Sequence, residues 1–227
     1  MPEMLRFHVL KNCKILAFLC TIIALVLGII IEKSTCWRVW EFHSHSVHIV
    51  FIGFWEAYYC QVDNITGSLV ECPIHTTVNE SWIIPPELYY GKDLILLANF
   101  MKLVVLTFMM DAAFVYWINV PHPDFHKSCD NYSVLLLLLS SCSTMIAVTW
   151  NLAMEFYGQT TLEFPGNFPV TKEALRKKYL AYVFPLGMLT STISLFVVTI
   201  LVCKRSSMNR RRYLYRRYLA KHVLRKG

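Results

Sequence analysis

The last 24 positions of this chain contain no acidic residue, and charge of either sign is scarce elsewhere: Asp, Glu, Lys and Arg supply only 16% of the 227 residues. With 56% hydrophobic residues beside that, a disordered or highly solvated chain is excluded and a membrane composition is indicated. Missing too are a Gly-rich phosphate loop, H-E-x-x-H and G-x-S-x-G. Neither an enzyme nor a cofactor is expected.

What the chain does have is long apolar runs. Ile15 to Ile31, Val134 to Met154 and Tyr179 to Cys203 carry no charge over 17, 21 and 25 residues, against the roughly 20 that cross a bilayer as helix. Leu94 to Val120 is as long but holds Lys102 and Asp111; it reads as a span because an apolar stretch of that length does not stay in water. Arg6, Lys11 and Lys14 precede the first run as a signal-peptide n-region would. That run exceeds the usual apolar region of ~7–15 residues and no A-x-A-like site follows it, so a retained span is expected.

The segments are therefore 1–14, span 15–31, loop 32–93, span 94–120, loop 121–133, span 134–154, loop 155–178, span 179–203 and tail 204–227. Fourteen Lys and Arg fall in 1–14, 121–133 and the tail, against seven in the other two loops. The positive-inside bias then puts both termini in the cytoplasm. Arg176, Lys177 and Lys178, just outside the fourth span, run against that bias locally.

Loop 32–93 becomes extracellular, where Cys60 and Cys72 meet an oxidising compartment and a bond between them is expected. Two free thiols, or a bond from Cys36, are the alternatives. Trp37 to Phe42 and Val47 to Tyr59 are rich in strand formers, and the residues between the two cysteines suit a turn, so a small antiparallel sheet of about four strands is expected. Pro85-Pro86-Glu87-Leu88 reads as a helix start. Trp37, Trp40 and Trp55 are candidates for interfacial anchoring. Asn64 and Asn79 begin glycosylation sequons on the extracellular side, whereas the Asn131 sequon lies on the other.

Trp37-Arg38-Val39, Gly53-Phe54-Trp55 and the Cys60 and Cys72 pair resemble the first-loop signature of claudins. Pro86-Glu87-Leu88 running on to Lys92, and Glu155-Phe156-Tyr157 in the second loop, extend that resemblance. It implies an α-helical membrane protein: a four-transmembrane-helix bundle under a small extracellular antiparallel β-sheet, held by the Cys60–Cys72 disulfide. It implies a structural and adhesive role at tight junctions of the plasma membrane, with itself or other claudin-like proteins as partners in cis and in trans, and with Phe156 and Tyr157 making second-loop contacts. The alternative is an auxiliary or trafficking subunit of another membrane protein. The ending Arg225-Lys226-Gly227 differs from the Tyr-Val type terminus, which makes a PDZ scaffold a doubtful partner. Gln61, Pro73 and Ile74 beside the cysteines carry no charge, and the nearest acid, Glu71, precedes its cysteine and could face either side of the sheet, so a barrier or adhesive role is expected rather than a cation-preferring channel.

Three further groups carry ionisable or reactive side chains. His43, His45 and His48 form H-x-H-x-x-H, but in a strand the first two share a face and the third points away, so no metal site is expected. Lys102 and Asp111, nine residues apart, occupy opposite helix faces and cannot pair; Asp111 reaches headgroups, and Lys102 snorkels or meets a polar partner on a neighbouring helix. The tail holds ten Lys and Arg, with Tyr215, Leu219 and His222 or Val223 at helical spacing. Membrane lipids, specifically those of the anionic leaflet, are its expected partner, and nucleic acid is not. Cys203 is a palmitoylation candidate.

Overall fold

The computed structural model describes the backbone of residues 2–44, 46–62, 69–79, 81–118, 123–157 and 160–223, without the side chains of 2–11, 62, 69–71, 116, 123–124, 126 and 208–223. Four helices, α1 (Pro2–Lys33), α2 (Pro86–Trp117), α3 (Pro123–Phe156) and α4 (Val183–Val223), form the bundle. Each contains a stretch long and apolar enough to cross a membrane.

The polarity of the bundle is inverted relative to a soluble one. Ile15, Leu19, Ile23, Phe100, Leu139 and Phe196 face outward, while Thr21, Ser140, Ser141, Thr144, Ser191 and Ser194 are buried between helices. Small hydroxyl side chains let helix backbones approach and hydrogen-bond across the seam, as Ser141 does in donating to the Ser191 carbonyl at 3.2 Å. An outward apolar surface of this extent belongs in lipid, so this is a multi-pass membrane protein.

Five strands stand at one end of the bundle: β1 (Arg38–Phe42), β2 (Val47–Ile52), β3 (Glu56–Val62), β4 (Leu69–Thr77) and β5 (Leu175–Tyr179). They pair antiparallel in the order β4-β3-β2-β1-β5. Arg38, Trp40 and Phe42 of β1 alternate onto the buried face. There Trp40, Phe42, Val47, Val50 and Ile52 pack with Trp82, Leu162 and Val170, so the connections before α2 and before β5 roof the sheet.

Several expectations need correction. The apolar stretch Val47 to Tyr59 is two strands, because Gly53 to Trp55 turns the chain: the Gly53 N–H donates to the Glu56 carbonyl at 2.8 Å. A fifth strand comes from the second loop, where the sequence predicts none. The fourth helix begins at Val183 rather than Tyr179, because Tyr179 is the last residue of β5 and pairs with Val39. Outside these points α2 starts at Pro86 as expected, proline being tolerated in the first turn. It ends at Trp117, short of Val120. The tail continues α4 as helical backbone to Val223, while the side chains of Tyr215, Leu219, His222 and Val223 lie outside the described residues.

Candidate functional site

The site is the sheet and the seam that fixes it to the helix ends. Arg38 enters that seam from β1, with a side chain wholly inaccessible to solvent. Its Nε lies 2.8 Å from Glu155 Oε2, out of line for a hydrogen bond but close as an ion pair. Its Nη2 donates to Asn151 Oδ1 at 3.2 Å and to Glu87 Oε1 at 3.4 Å. Both carboxylates are as buried as the guanidinium. Burial lowers the Arg38 pKa, opposed by Glu155 and then Glu87, and a guanidinium still stays charged at any physiological pH.

Further hydrogen bonds complete the seam. The Trp40 indole donates to Glu155 Oε1 at 2.6 Å, the Asn151 amide donates to the Glu87 carbonyl at 2.7 Å, and Lys178 Nζ donates to the Glu155 carbonyl at 2.9 Å. One arginine thus joins β1 to the start of α2 and the end of α3, and a lysine from β5 closes the fourth side. Two acids against one arginine leave a negative excess, which Lys178 offsets.

Beside it, Trp37 is fully buried, its ring centroid 4.1 Å from that of Phe54 and its indole donating to the Ile31 carbonyl at 3.0 Å. Gly53 is demanded by close approach: a Cβ there would sit 2.6 Å from the Ser34 carbonyl oxygen and 2.7 Å from Thr35 Cα. Trp55 turns outward, 39% exposed, with Lys92 Nζ 4.8 Å and Lys33 Nζ 5.1 Å from its ring centroid. Of the three tryptophans weighed for interfacial anchoring, only Trp55 occupies an exposed edge; Trp37 and Trp40 are core.

Cys60 and Cys72 are joined, with Cα atoms 4.4 Å apart, across the β3–β4 pair, and Cys36 is a free thiol. The turn between them, including Asn64, lies outside the described residues, as does the Glu71 side chain. Asn79 is exposed, and its Oδ1 accepts from the Ser81 N–H at 3.1 Å. Phe156 and Tyr157 are exposed, Tyr157 almost completely. His45 lies outside the described residues; His43, Ser44 and Ser46 border an open hollow of about 430 Å³ against Val170 and Thr171.

The basic cluster that ran against the charge bias is absorbed by the sheet. Arg176 Nη1 donates to Glu41 Oε1 at 2.7 Å and the Tyr179 hydroxyl donates to Glu41 Oε2 at 2.5 Å. The hydrogen bond from Tyr179 holds the Glu41 carboxyl below its ordinary value, opposed by desolvation and helped by Arg176, and the same bond to Glu41 raises Tyr179. Within the bundle Lys102 is buried and its Nζ donates at 3.5 Å to Oδ1 of Asn99 on its own helix, whose amide donates at 3.1 Å to Glu32 of α1. Its partner is therefore one turn away rather than on a neighbouring helix, and Asp111 is exposed. Cys203 is exposed on α4.

Sequence reasoning missed the seam itself. An asparagine inside an otherwise apolar run, Asn151, and an arginine flanked by Trp37 and Val39 were its visible traces. Among the described residues these groups join β1 and β5 to the start of α2 and the end of α3, through Arg38, Trp40, Asn151 and Lys178. No family model matches this chain, and a search of curated proteins also finds no match.

Proposed function

We propose that this chain is a claudin-like structural protein of the plasma membrane, placed at tight junctions with both termini in the cytoplasm. Its sheet faces outward and associates side by side with neighbours and head-on with an opposing cell. The observation that supports this reading best is the division of labour among the signature residues. Trp37, Arg38, Phe54 and Glu155 are buried in the seam, whereas Trp55, Phe156, Tyr157 and the edge near His43 are turned outward on an immobilised platform. A sheet pinned by an ion network and a disulfide loses little conformational entropy on association, which suits weak contacts repeated along a strand.

The mechanism is non-catalytic. Helices anchor the chain in lipid, the disulfide holds β3 against β4, and outward aromatic side chains supply contact area. A glycan on Asn79 would stand at the exposed end of β4. The basic tail adds attraction to an anionic leaflet. Freeze-fracture imaging of junction-free fibroblasts expressing the chain tests the reading: intramembranous strands at cell borders are expected. Scattered particles together with stable co-purification of a channel or receptor would replace it with the auxiliary-subunit role.

A further inference from the structure

At the opposite end of the bundle from the sheet, an apolar cleft of about 200 Å³ opens between α1 and α2. Its floor is Ala17 and Leu201, both buried, and its rim includes Ile15 and Ala113, both exposed. Two charged residues border it, Lys14 and Asp130. An apolar cavity of about 150 Å³ already accepts a benzene, so this one has room for part of an acyl chain. Lys14 stands two residues inside the span that begins at Asn12, at the depth where headgroups lie.

The charges at this end favour an anion. Among the described side chains Lys14, Lys127, Lys204 and Arg205 face two acids, Asp111 and Asp130. Asp130 is ion-paired at 2.7 Å to Lys204, and Arg205 is spent on the neutral Asn131 Oδ1 at 2.7 Å. Lys14 borders the same cleft as Asp130, so two ammonium groups stand about one carboxylate there. Asp111 is exposed on α2 and interacts with Cys129. The tail then adds eight more Lys and Arg between Arg210 and Lys226 without an acid.

We propose that this cleft seats one acyl chain of an anionic glycerophospholipid whose phosphate rests against Lys14. A sterol would fill the apolar volume but leave the excess cation unmatched. An anionic lipid satisfies both features. The proposal rests on the chain lying in a membrane and not on any junctional role.

The test uses the full-length protein in nanodiscs of equal parts phosphatidylserine and phosphatidylcholine, with lipid retained on release counted by native mass spectrometry. Wild type retains phosphatidylserine in preference. Lys14→Gln lowers that retention about fivefold and leaves phosphatidylcholine unchanged, the loss expected of one lysine facing anionic headgroups. Ala113→Phe, which fills the cleft from its exposed rim, lowers retention of both lipids, whereas Ala113→Ser keeps the wild-type pattern. Ile15→Trp plugs the same cleft from α1 and serves if the phenylalanine variant is not recovered. Replacing Arg210, Arg211 and Arg212 by Gln leaves the retained lipid in place. Equal retention of the two lipids by wild type, or phosphatidylserine retention unchanged by Lys14→Gln and by both plugs, overturns the proposal. Loss confined to the tail variant overturns it too, by placing the lipid on the tail. A dimer that the plugs dissociate would do the same, by making the occupant a second copy.

Discussion

Arg38 is the guanidinium that meets two buried carboxylates, Glu87 and Glu155, in the seam between sheet and helix ends. A buried ion pair adds little net stability over an apolar replacement, but removing one partner leaves the other charge stranded, at about 3–5 kcal/mol. Arg38→Ala strands both Glu87 and Glu155 and is expected to cost that much in thermal unfolding of the purified protein. Glu87→Gln keeps the 2.8 Å Arg38–Glu155 contact and leaves an amide oxygen to accept from Arg38 Nη2, so a loss of only about 1 kcal/mol is expected. Equal losses for the two variants would contradict the assignment of Glu155 as the principal partner. Glu41 makes a different kind of prediction. Its depressed pKa means that the bond to Tyr179 stabilises the β1–β5 seam fully above the ordinary carboxylate range and is lost as pH falls through the folded value. The raised Tyr179 works in the opposite direction: its contribution is present below the ordinary tyrosine range, and is lost as pH climbs through its folded value. The protection of β5 amides against exchange, relative to the intrinsic rate of an unstructured chain at the same pH, is therefore expected to be flat from about pH 5 to 9 and to fall below about pH 4. Glu41→Gln should remove the acid limb. A loss of that protection between pH 5 and 7 would show another group in control.

At the scale of elements, the helices were legible and the sheet only partly so. Charge-free runs locate spans directly, and Pro86 fixed the start of α2 because proline fits a first turn. Local pattern also reached β1 and the Cys60–Cys72 hairpin, where two cysteines bracket turn formers. It failed at β5, whose sequence Leu-Arg-Lys-Lys-Tyr has no apolar alternation: its place is set by β1, whose Glu41 pairs with Lys177 across 136 positions of chain. The same non-local pairing took Tyr179 away from the fourth span. The Val47 to Tyr59 run misled because a continuous set of strand formers hides a turn whose only marker is one glycine. That glycine provides a direct check. Gly53→Ala would drive a Cβ against backbone of the α1–β1 connection on two sides, with no flexible side-chain end to yield, and should cost about 1–3 kcal/mol of stability. Unaltered melting would mean that the turn and the connection are not held as close as 2.6 Å.

For the whole molecule, the candidate site was readable as a set of residues but not as a machine. Trp37, Gly53, Trp55, Cys60 and Cys72 could be picked from sequence, yet which of them are buried and which are presented depends on Arg38 meeting Glu155 across 117 positions and on Asn151 meeting Glu87 across 64. No local pattern encodes such meetings. The resulting object is a rigid sheet on a lipid-facing bundle, with basic charge concentrated at the far end. Its central claim, head-on association between cells, is tested most directly in mixed culture. Fluorescent full-length protein is expressed in one half of a junction-free cell population and in a second colour in the other, next to cells that express neither. The account predicts enrichment only at borders where both cells express the chain, abolished by Arg38→Ala even in cells whose surface level is matched. Equal intensity at borders with non-expressing cells would contradict it.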